Sequence, residues 1–209
     1  PAPTYTNVQP VAITNELINV PSALETDVLD IEPILWGIYF IGLLFFGIKF
    51  FKNLFQIFKR IRKNPKNRLA RFTHVLLTEK LPPHTFFRYI FLNKKRLEAN
   101  EIPKEVLLHE ETHAQQKHSW DVVFVEFLQV IFWVNPFIYL SKKAIKLNHE
   151  FLADQAVLKN DIDETTYQNT LLSYLSPDSE KKYQPTMANL ITNSSYSSIK
   201  KRFKVMKKH

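Results

Sequence analysis

The sequence predicts an α+β protein that is mainly α-helical, with one transmembrane helix followed by a domain that contains a small β-hairpin or sheet. Three observations support this fold class: an uncharged apolar run near the start, two short segments rich in aromatic and β-branched residues, and helical segments through the second half. At 209 residues the chain can bury one moderate core. It contains no cysteine, which excludes disulfides and thiolate metal ligands.

The predicted transmembrane helix covers residues 33–58 with its juxtamembrane extension. Residues 34–48 carry no charge, and Phe50 and Phe51 extend the apolar run past Lys49. A span needs about 20 mostly apolar residues, with roughly 17 as the lower end. The run is sufficient if the ammonium group of Lys49 reaches the membrane interface along its aliphatic stem.

Charge on the two sides of this run predicts its orientation. Residues 1–32 contain five acidic and no basic residues, whereas residues 59–71 contain seven basic and no acidic residues. Basic flanks stay in the cytoplasm, so we expect residues 1–32 to be an extracytoplasmic lead-in and residues 59–209 to be a cytoplasmic domain. Membrane lipid is therefore an expected partner. The net charge of +8 would also suit nucleic acid, but topology explains it, and no direct nucleic-acid contact is expected.

The remaining elements follow in order along the chain. Residues 72–78 and 85–92 predict two strands, joined by a loop that contains Pro82 and Pro83. Pro103 fits the first turn of a helix over residues 103–120, and further helices are predicted over residues 141–159 and 164–175. A Ser/Asn-rich loop and a basic tail over residues 198–208 follow, the tail interpreted as a juxtamembrane segment. Because the sequence starts at Pro1 and ends in this tail, we expect it to be a piece of a longer protein.

The helix at 103–120 contains the motif His109-Glu110-Glu111-Thr112-His113. Residues four apart lie on one helix face, so His109 and His113 can present imidazole nitrogens to a single metal ion. Glu110 lies one step round the helix and can take a proton from a metal-bound water. Two solvated histidines on a charged helix would have the same spacing, so the motif suggests a Zn²⁺ site without deciding it.

A second helix strengthens this interpretation. Glu150 and Asp154 lie four residues apart on one face of the helix at 141–159. A catalytic zinc ion takes three protein ligands and leaves a fourth position for water, so Glu150 can be the third metal ligand. Asp154 can accept the free ring N–H of a ligating histidine, with His109 the first candidate.

If both helices bind one metal ion, the path of the apolar residues between them, 122–140, is restricted. A full span here would separate His113 from Glu150 by about 30 Å of hydrocarbon. This stretch must therefore double back at Asn135-Pro136, or lie in the core or at the membrane interface. The interior Glu126 and Gln129 also oppose lipid exposure. The prediction is a re-entrant or peripheral segment.

Three sequence blocks, taken together, resemble the BlaR/MecR-type membrane metallopeptidases. They are HEETHAQQKHSWD at 109–121, FWVNP at 132–136 and NHEFLAD at 148–154, and the resemblance covers about residues 34–209. It implies a gluzincin-type zinc endopeptidase on the cytoplasmic side of a bacterial inner membrane. By this resemblance His109, His113 and Glu150 are zinc ligands, Glu110 is catalytic, and Asp154 supports a ligand. In well-known members, sensing of β-lactams leads to cleavage of a cytoplasmic transcriptional repressor, so the implied partner is a protein substrate of that kind.

Two other functions remain open from the sequence. A membrane quality-control or prenyl-type protease would use the same zinc geometry on another substrate, and a non-catalytic membrane adaptor could keep a vestigial metal site. His118 and Asp121 could support the metal site or belong to the surface, and His149 is interpreted as structural. Residues 86–92 could pair with an extended peptide substrate by strand addition.

Overall fold

The computed structural model describes residues 30–79, 81–175 and 196–207. Most of the predicted lead-in and the Ser/Asn-rich loop lie outside these residues. The described part is mainly helical with a small mixed sheet, as predicted. The helices are α1 (Ile31–Lys63), α2 (Lys94–Glu98), α3 (Lys104–Gln115), α4 (His118–Ile131), α5 (Pro136–Leu158), α6 (Glu164–Leu175) and α7 (Tyr196–Met206); the strands are β1 (Lys66–Arg68), β2 (Thr73–Leu77), β3 (His84–Phe86) and β4 (Tyr89–Asn93).

Helix α1 is long and apolar enough to cross a bilayer, and it is the one such helix among the described residues. Its 33 residues give a length of about 50 Å. The Asp30 side chain caps the N-terminus by accepting a hydrogen bond from the Glu32 N–H, and basic residues occupy the last turn. Many of its large apolar side chains between Ile31 and Phe58 are exposed, whereas Ile57 and Ile61 are buried. The helix therefore has an exposed apolar part and a C-terminal end that belongs to the domain core.

The sheet differs from the predicted hairpin. Its strand order is β1-β2-β4-β3. The single strand expected at 85–92 is two strands, β3 and β4, which turn at Phe87 and pair with each other antiparallel. Strands β2 and β4 pair in parallel, so the two predicted strands do not form a hairpin with each other. The alternation of apolar side chains did not reveal the turn, because Phe86 and Phe87 have a strand-like composition.

The sheet lies between α1 and α3. On one side Val75, Leu77 and Phe91 pack against Ile57 and Ile61 of α1. On the other side β4 packs with Ile90 and Leu92 against residues at the start of α3. Successive side chains of a strand point to opposite faces, so β4 contributes to both layers. The sheet thereby fixes α3, the helix that carries His109 and His113, relative to the C-terminal end of α1.

The helix predicted at 103–120 ends earlier than expected. Helix α3 stops at Gln115, and Lys117 takes a left-handed backbone conformation with φ of 57°. Helix α4 then starts at His118 in a new direction. No glycine or proline marks this break, so the sequence prediction of a continuous helix was wrong at its C-terminal end.

Residues 122–140 double back, as one of the predicted arrangements requires. Helix α4 ends at Ile131, the chain turns, and α5 starts at Pro136 and returns along α4. The Asn135 side chain caps α5 by accepting a hydrogen bond from the Phe137 N–H at 2.9 Å. Pro136 fits the first helical position because its missing N–H needs no partner there. A full membrane span over 122–140 is therefore excluded, and α5 starts earlier than the predicted residue 141.

The turn between α4 and α5 packs against the middle of α1. The Trp133 ring stacks on Phe46 with ring centroids 5.8 Å apart, and its indole N–H donates to the Tyr39 carbonyl at 3.3 Å. A Cβ atom at Gly42 would overlap the Trp133 indole ring, whereas one at Gly37 would meet nothing within 4 Å. Gly42 is thus required for the close approach of the two segments.

We predict that Gly42→Ala destabilises the protein by about 1–3 kcal/mol, because the added methyl group displaces Trp133. Gly37→Ala is the matched control, since it makes the same change in the same helix and gains helix propensity without a clash. The measurement is thermal unfolding in detergent, followed by tryptophan fluorescence. Equal unfolding midpoints for the two variants would contradict this packing.

Candidate metal centre

Two histidines of α3 and one glutamate of α5 converge at the centre of the domain. The His109 and His113 Nε2 atoms lie 3.1 Å apart. The Glu150 carboxylate oxygens lie 3.6 Å from the His109 Nε2 and 3.7 Å from the His113 Nε2. All three ligand atoms lie within 4.8 Å of one another, so this group can hold a metal ion.

The spacing of these atoms fits a tetrahedral metal ion. Zinc lies about 2.0–2.2 Å from nitrogen and oxygen ligands, which places adjacent ligands of a tetrahedron roughly 3.3–3.6 Å apart. The observed separations of 3.1–3.7 Å are close to this range. Two imidazoles and one carboxylate are also a donor set that zinc takes at catalytic sites, with a fourth position left open.

Glu110 is held beside this group by the edge of the sheet. The Thr85 hydroxyl of β3 lies 2.7 Å from the Glu110 Oε2 and 2.9 Å from the Glu110 carbonyl oxygen, and it donates its one hydrogen to these two acceptors. Burial raises the pKa of Glu110, an effect that the charge of His109 and the Thr85 hydrogen bond oppose. The carboxylate is thus oriented, and its affinity for a proton is increased.

Asp154 reaches His109 mainly through a tyrosine. The His109 Nδ1 lies 3.4 Å from the Asp154 Oδ1, which is long for a hydrogen bond. The Tyr167 hydroxyl lies 2.8 Å from both atoms. A consistent arrangement has the His109 Nδ1–H donating to the Tyr167 oxygen and the Tyr167 O–H donating to Asp154. This chain orients His109 and leaves its Nε2 lone pair directed to the centre.

Arg202 of α7 lies against both acidic residues of α5. Its Nη1 is 2.8 Å from the Glu150 Oε2, its Nε is 2.8 Å from the Asp154 Oδ2, and its Nη2 makes a short contact with the other Asp154 oxygen. Arg202 and Asp154 are only 3% and 2% exposed. This fork-shaped pairing satisfies two buried carboxylates with one guanidinium group.

The electrostatics keep both carboxylates ionised. Burial alone would raise the pKa of Glu150, but Arg202 and the two histidines outweigh burial and hold its pKa below the usual value. Burial likewise opposes ionisation of Asp154, and its hydrogen bonds to Arg202 lower the pKa. For His109, burial would lower the pKa, but Asp154 and Glu150 raise it to about 9. Negative charge therefore dominates at the centre and favours a bound cation.

His118 contacts the far side of the other histidine. The His113 Nδ1 and the His118 Nδ1 lie 2.8 Å apart, so one of them donates to the other. The His118 ring stacks on His149 at 4.0 Å, and the His149 Nε2 lies 3.0 Å from the Asp121 Oδ2. His118 thus contacts a candidate ligand, and His149 and Asp121 connect to it through His118. The sequence left the roles of His118 and Asp121 open and interpreted His149 as structural.

A cavity of about 530 Å³ opens onto the centre. Its polar wall includes the three candidate ligands and Glu110, and its apolar wall includes side chains of α1 such as Phe50 and Leu54. A cavity of this size, with a few converging polar groups in a mostly apolar lining, is typical of a site that binds an organic substrate.

Comparison with known proteins identifies the family of this chain. A family model described as BlaR1 peptidase M56 matches residues 88–206, which hold all three candidate ligands, Glu110, Tyr167 and Arg202. The chain belongs to the M56 peptidase family. It is also 32% identical over 119 residues to "Regulatory protein BlaR1" of Bacillus licheniformis. The aligned part covers 54% of this chain and 19% of that relative, so the chain spans about a fifth of the relative's length.

Sequence reasoning missed three residues of this M56 site: Thr85, Tyr167 and Arg202. Arg202 lies in the tail that was interpreted as a membrane-surface segment, and that interpretation did not foresee its burial. One sequence signal was available, because the spacing of Ile199, Arg202 and Met206 places them on one helix face. In the structure all three side chains are buried. Tyr167 and Thr85 lie in unremarkable segments, and only the fold brings them to the motif.

We predict that Arg202→Met destabilises the M56 domain strongly, because it leaves the buried Asp154 and the half-buried Glu150 without their cationic partner. Breaking a buried pair costs about 3–5 kcal/mol, which lowers the thermal midpoint of a chain of this size by roughly 6–20 °C. Lys201→Met removes the same charge from an exposed neighbouring position and is the matched control. The measurement is calorimetry in detergent, and similar midpoints for the two variants would contradict the role assigned to Arg202.

Proposed function

We propose that the chain is a membrane-anchored zinc metalloendopeptidase, with zinc held by His109, His113 and Glu150. One observation carries the proposal: the two histidines and the glutamate place their ligand atoms within 4.8 Å of one another, beside a buried glutamate, in a chain of a peptidase family. Zinc, when bound, supplies a polarised water of lowered pKa and a positive charge that stabilises the developing oxyanion.

We assign the remaining catalytic and positioning roles to residues of the chain. Glu110 is the general base: its Thr85 hydrogen bond orients the carboxylate, and its burial raises the pKa and favours proton uptake. Tyr167 and Asp154 fix the ring of His109, and His118 does the same for His113 by accepting its Nδ1–H. Arg202 keeps Glu150 ionised and in place. The pocket supplies an apolar wall that excludes water around the substrate.

The substrate is proposed to be a protein, and strand β3 is its docking edge. Strand β3 lies at the end of the sheet, and its Thr85 touches the proposed base. An extended peptide that pairs with β3 would run past the metal centre. The sequence suggested residues 86–92 for pairing with a substrate. Those in β4 are not free to pair, because β4 is a central strand with partners on both sides.

We place the active site on the cytoplasmic side of a bacterial inner membrane, within residues 59–209. The basic residues at the end of α1 and the acidic residues before it support this orientation. The relative's name identifies it as a regulatory protein, which supports a signalling relay in which this chain cleaves a repressor-like cytoplasmic protein.

Metal content tests the ligand set. We expect about one zinc ion per chain in the wild-type protein, and a loss of affinity in Glu150→Gln larger than the roughly 10–100-fold that removal of a ligand's supporting residue causes. Glu111→Gln is the matched control, because it alters a carboxylate inside the motif that is not part of the cluster. The measurement is elemental analysis with competitive chelation. Equal zinc retention in both variants would remove Glu150 from the site, and no zinc in any protein would favour the adaptor function.

Proteolysis tests the base. We expect Glu110→Gln to keep its zinc and to lose cleavage of fluorescein-labelled casein by roughly 10²–10⁴-fold, the usual contribution of a general base. Glu111→Gln should cleave at the wild-type rate. Cleavage by Glu110→Gln at the wild-type rate would overturn the assignment, since nothing else in the described cavity is placed to replace this carboxylate.

A further inference from the structure

We propose that the helical hairpin formed by residues 118–142 enters the bilayer as a re-entrant loop, with its turn in contact with lipid chains near the membrane centre. We call these residues the α4–α5 hairpin. The proposal rests on the proposed membrane anchoring by α1 and adds a second membrane-embedded element. Four independent features of the described residues support it.

Contacts with α1 give the depth of the hairpin. Phe127 lies beside Phe50 of α1, with ring centroids 6.4 Å apart. Further along α4, Trp133 stacks on Phe46, and the Ile131 carbonyl accepts a hydrogen bond from the Tyr39 hydroxyl at 3.0 Å. As α4 advances toward the turn, its contacts move up α1, away from the cytoplasmic end.

The position of Tyr39 in α1 gives the approximate depth of the turn in the bilayer. Tyr39 lies ten residues before Lys49, the first basic residue of α1. At 1.5 Å per residue this is about 15 Å, or roughly half of a 30 Å hydrocarbon core. Helix α4 has 14 residues and is about 21 Å long, too short to cross. The hairpin can therefore enter but not span the bilayer.

The outer surface of the hairpin is apolar and continuous with that of α1. Large apolar side chains are exposed along both arms and at the turn: Trp120, Phe124, Phe127, Phe132, Val134, Phe137 and Leu140. Phe127 of this surface contacts Phe50 of α1, and α1 itself exposes large apolar side chains such as Phe45 at 64% exposure. Monomeric soluble proteins rarely expose patches of this extent. One lipid environment would cover both surfaces at once.

The irregular backbone at the turn is satisfied inside the protein. The Ile131 carbonyl accepts from Tyr39, and the Trp133 carbonyl accepts from the Tyr139 hydroxyl at 2.9 Å. The Asn135 N–H donates to the Phe132 carbonyl, and the Phe137 N–H donates to the Asn135 side chain. Non-helical backbone is tolerated in hydrocarbon only when its polar groups find such partners, whereas a turn in water has no need of them.

In the middle of the hairpin, Glu126 and Gln129 of α4 pair with lysines of α5 rather than facing the outer surface. Glu126 forms ion pairs with Lys142 at 2.7 Å and Lys146 at 3.4 Å. The Gln129 side chain accepts a hydrogen bond from Lys142 at 2.8 Å. Glu126, Lys142 and Lys146 line the cavity of the metal centre. Paired charges directed to a protein interior are the form in which ionisable residues occur at membrane depth.

Nitroxide labels test the depth, and the absence of cysteine provides a clean background. Single-cysteine variants are made at Val134 and Phe124 of the hairpin, at Phe45 of α1 as the lipid reference, and at Lys95 of α2 as the water reference. All four side chains are exposed, so labelling should not disturb packing. The full chain is placed in phosphatidylcholine–phosphatidylglycerol vesicles. Power saturation then measures collisions of each label with oxygen, which enters lipid, and with a water-soluble nickel chelate.

We expect the labels at Val134 and Phe45 to collide with oxygen and not with nickel, and the label at Lys95 to do the reverse. The label at Val134 should also lie roughly 10 Å deeper than the label at Phe124, given the seven residues from Phe124 to Ile131. Equal depths would indicate a helix lying in the membrane plane and would overturn the re-entrant arrangement.

The remaining outcomes distinguish the re-entrant hairpin from the membrane anchoring by α1 on which it rests. Nickel access at Val134 with lipid access at Phe45 would overturn the re-entrant hairpin and leave the membrane anchor intact. Low access to both reagents at Val134 would show a protein cover, such as a second copy of the chain, and would also overturn lipid contact. Nickel access at Phe45 would overturn membrane anchoring itself. Zinc content and proteolysis are measured separately and do not depend on these results.

Discussion

The two carboxylates on one face of α5, the buried Asp154 and the half-buried Glu150, are the constraint on which the domain depends. An uncompensated carboxylate in a protein interior is unstable by several kcal/mol, so positive partners must reach this face. Arg202 reaches it from α7, and the histidines reach it from α3. The apolar contacts of Val157, Tyr167 and Met206 hold α5, α6 and α7 together around the charges. Charge pairing and apolar packing thus select the same arrangement of helices.

The sheet connects this centre to the long apolar helix α1. Phe86 of β3 packs against Phe58 of α1, with ring centroids 6.2 Å apart, and the adjacent Thr85 holds Glu110. The last turns of α1 are also part of the main core cluster with β2 and β4. Because α1 is one uninterrupted helix from Ile31 to Lys63, its exposed apolar part and its core-forming part are a single element. The short edge strand β3 therefore fixes the position of Glu110 relative to α1.

The sequence predicted those features of the site that depend on local spacing. His109 and His113 share a face because they are four residues apart, and the same holds for Glu150 and Asp154. A chain reversal at Asn135-Pro136 was one of the predicted arrangements of residues 122–140, since a full span there would have kept His113 and Glu150 apart. The parallel pairing of β2 and β4, the break at Lys117, and the burial of Arg202 could not be deduced in this way. Each depends on contacts between distant segments, which a single sequence does not encode in any local pattern.

The charges at the centre give a final argument for a divalent ion. Glu110 and Asp154 are buried and Glu150 is half-buried, and Arg202 is the one guanidinium group that touches Glu150 and Asp154 among the described residues. With the three carboxyl groups ionised and both imidazoles neutral, as metal ligation requires, Arg202 leaves a charge of about two units uncompensated. A bound dication would balance that charge, whereas without a metal the raised pKa of His109 lets a proton supply part of the balance. Zinc has that charge and suits the two-imidazole, one-carboxylate donor set. The same ion that would polarise a water molecule would then also be the missing electrostatic partner of the fold.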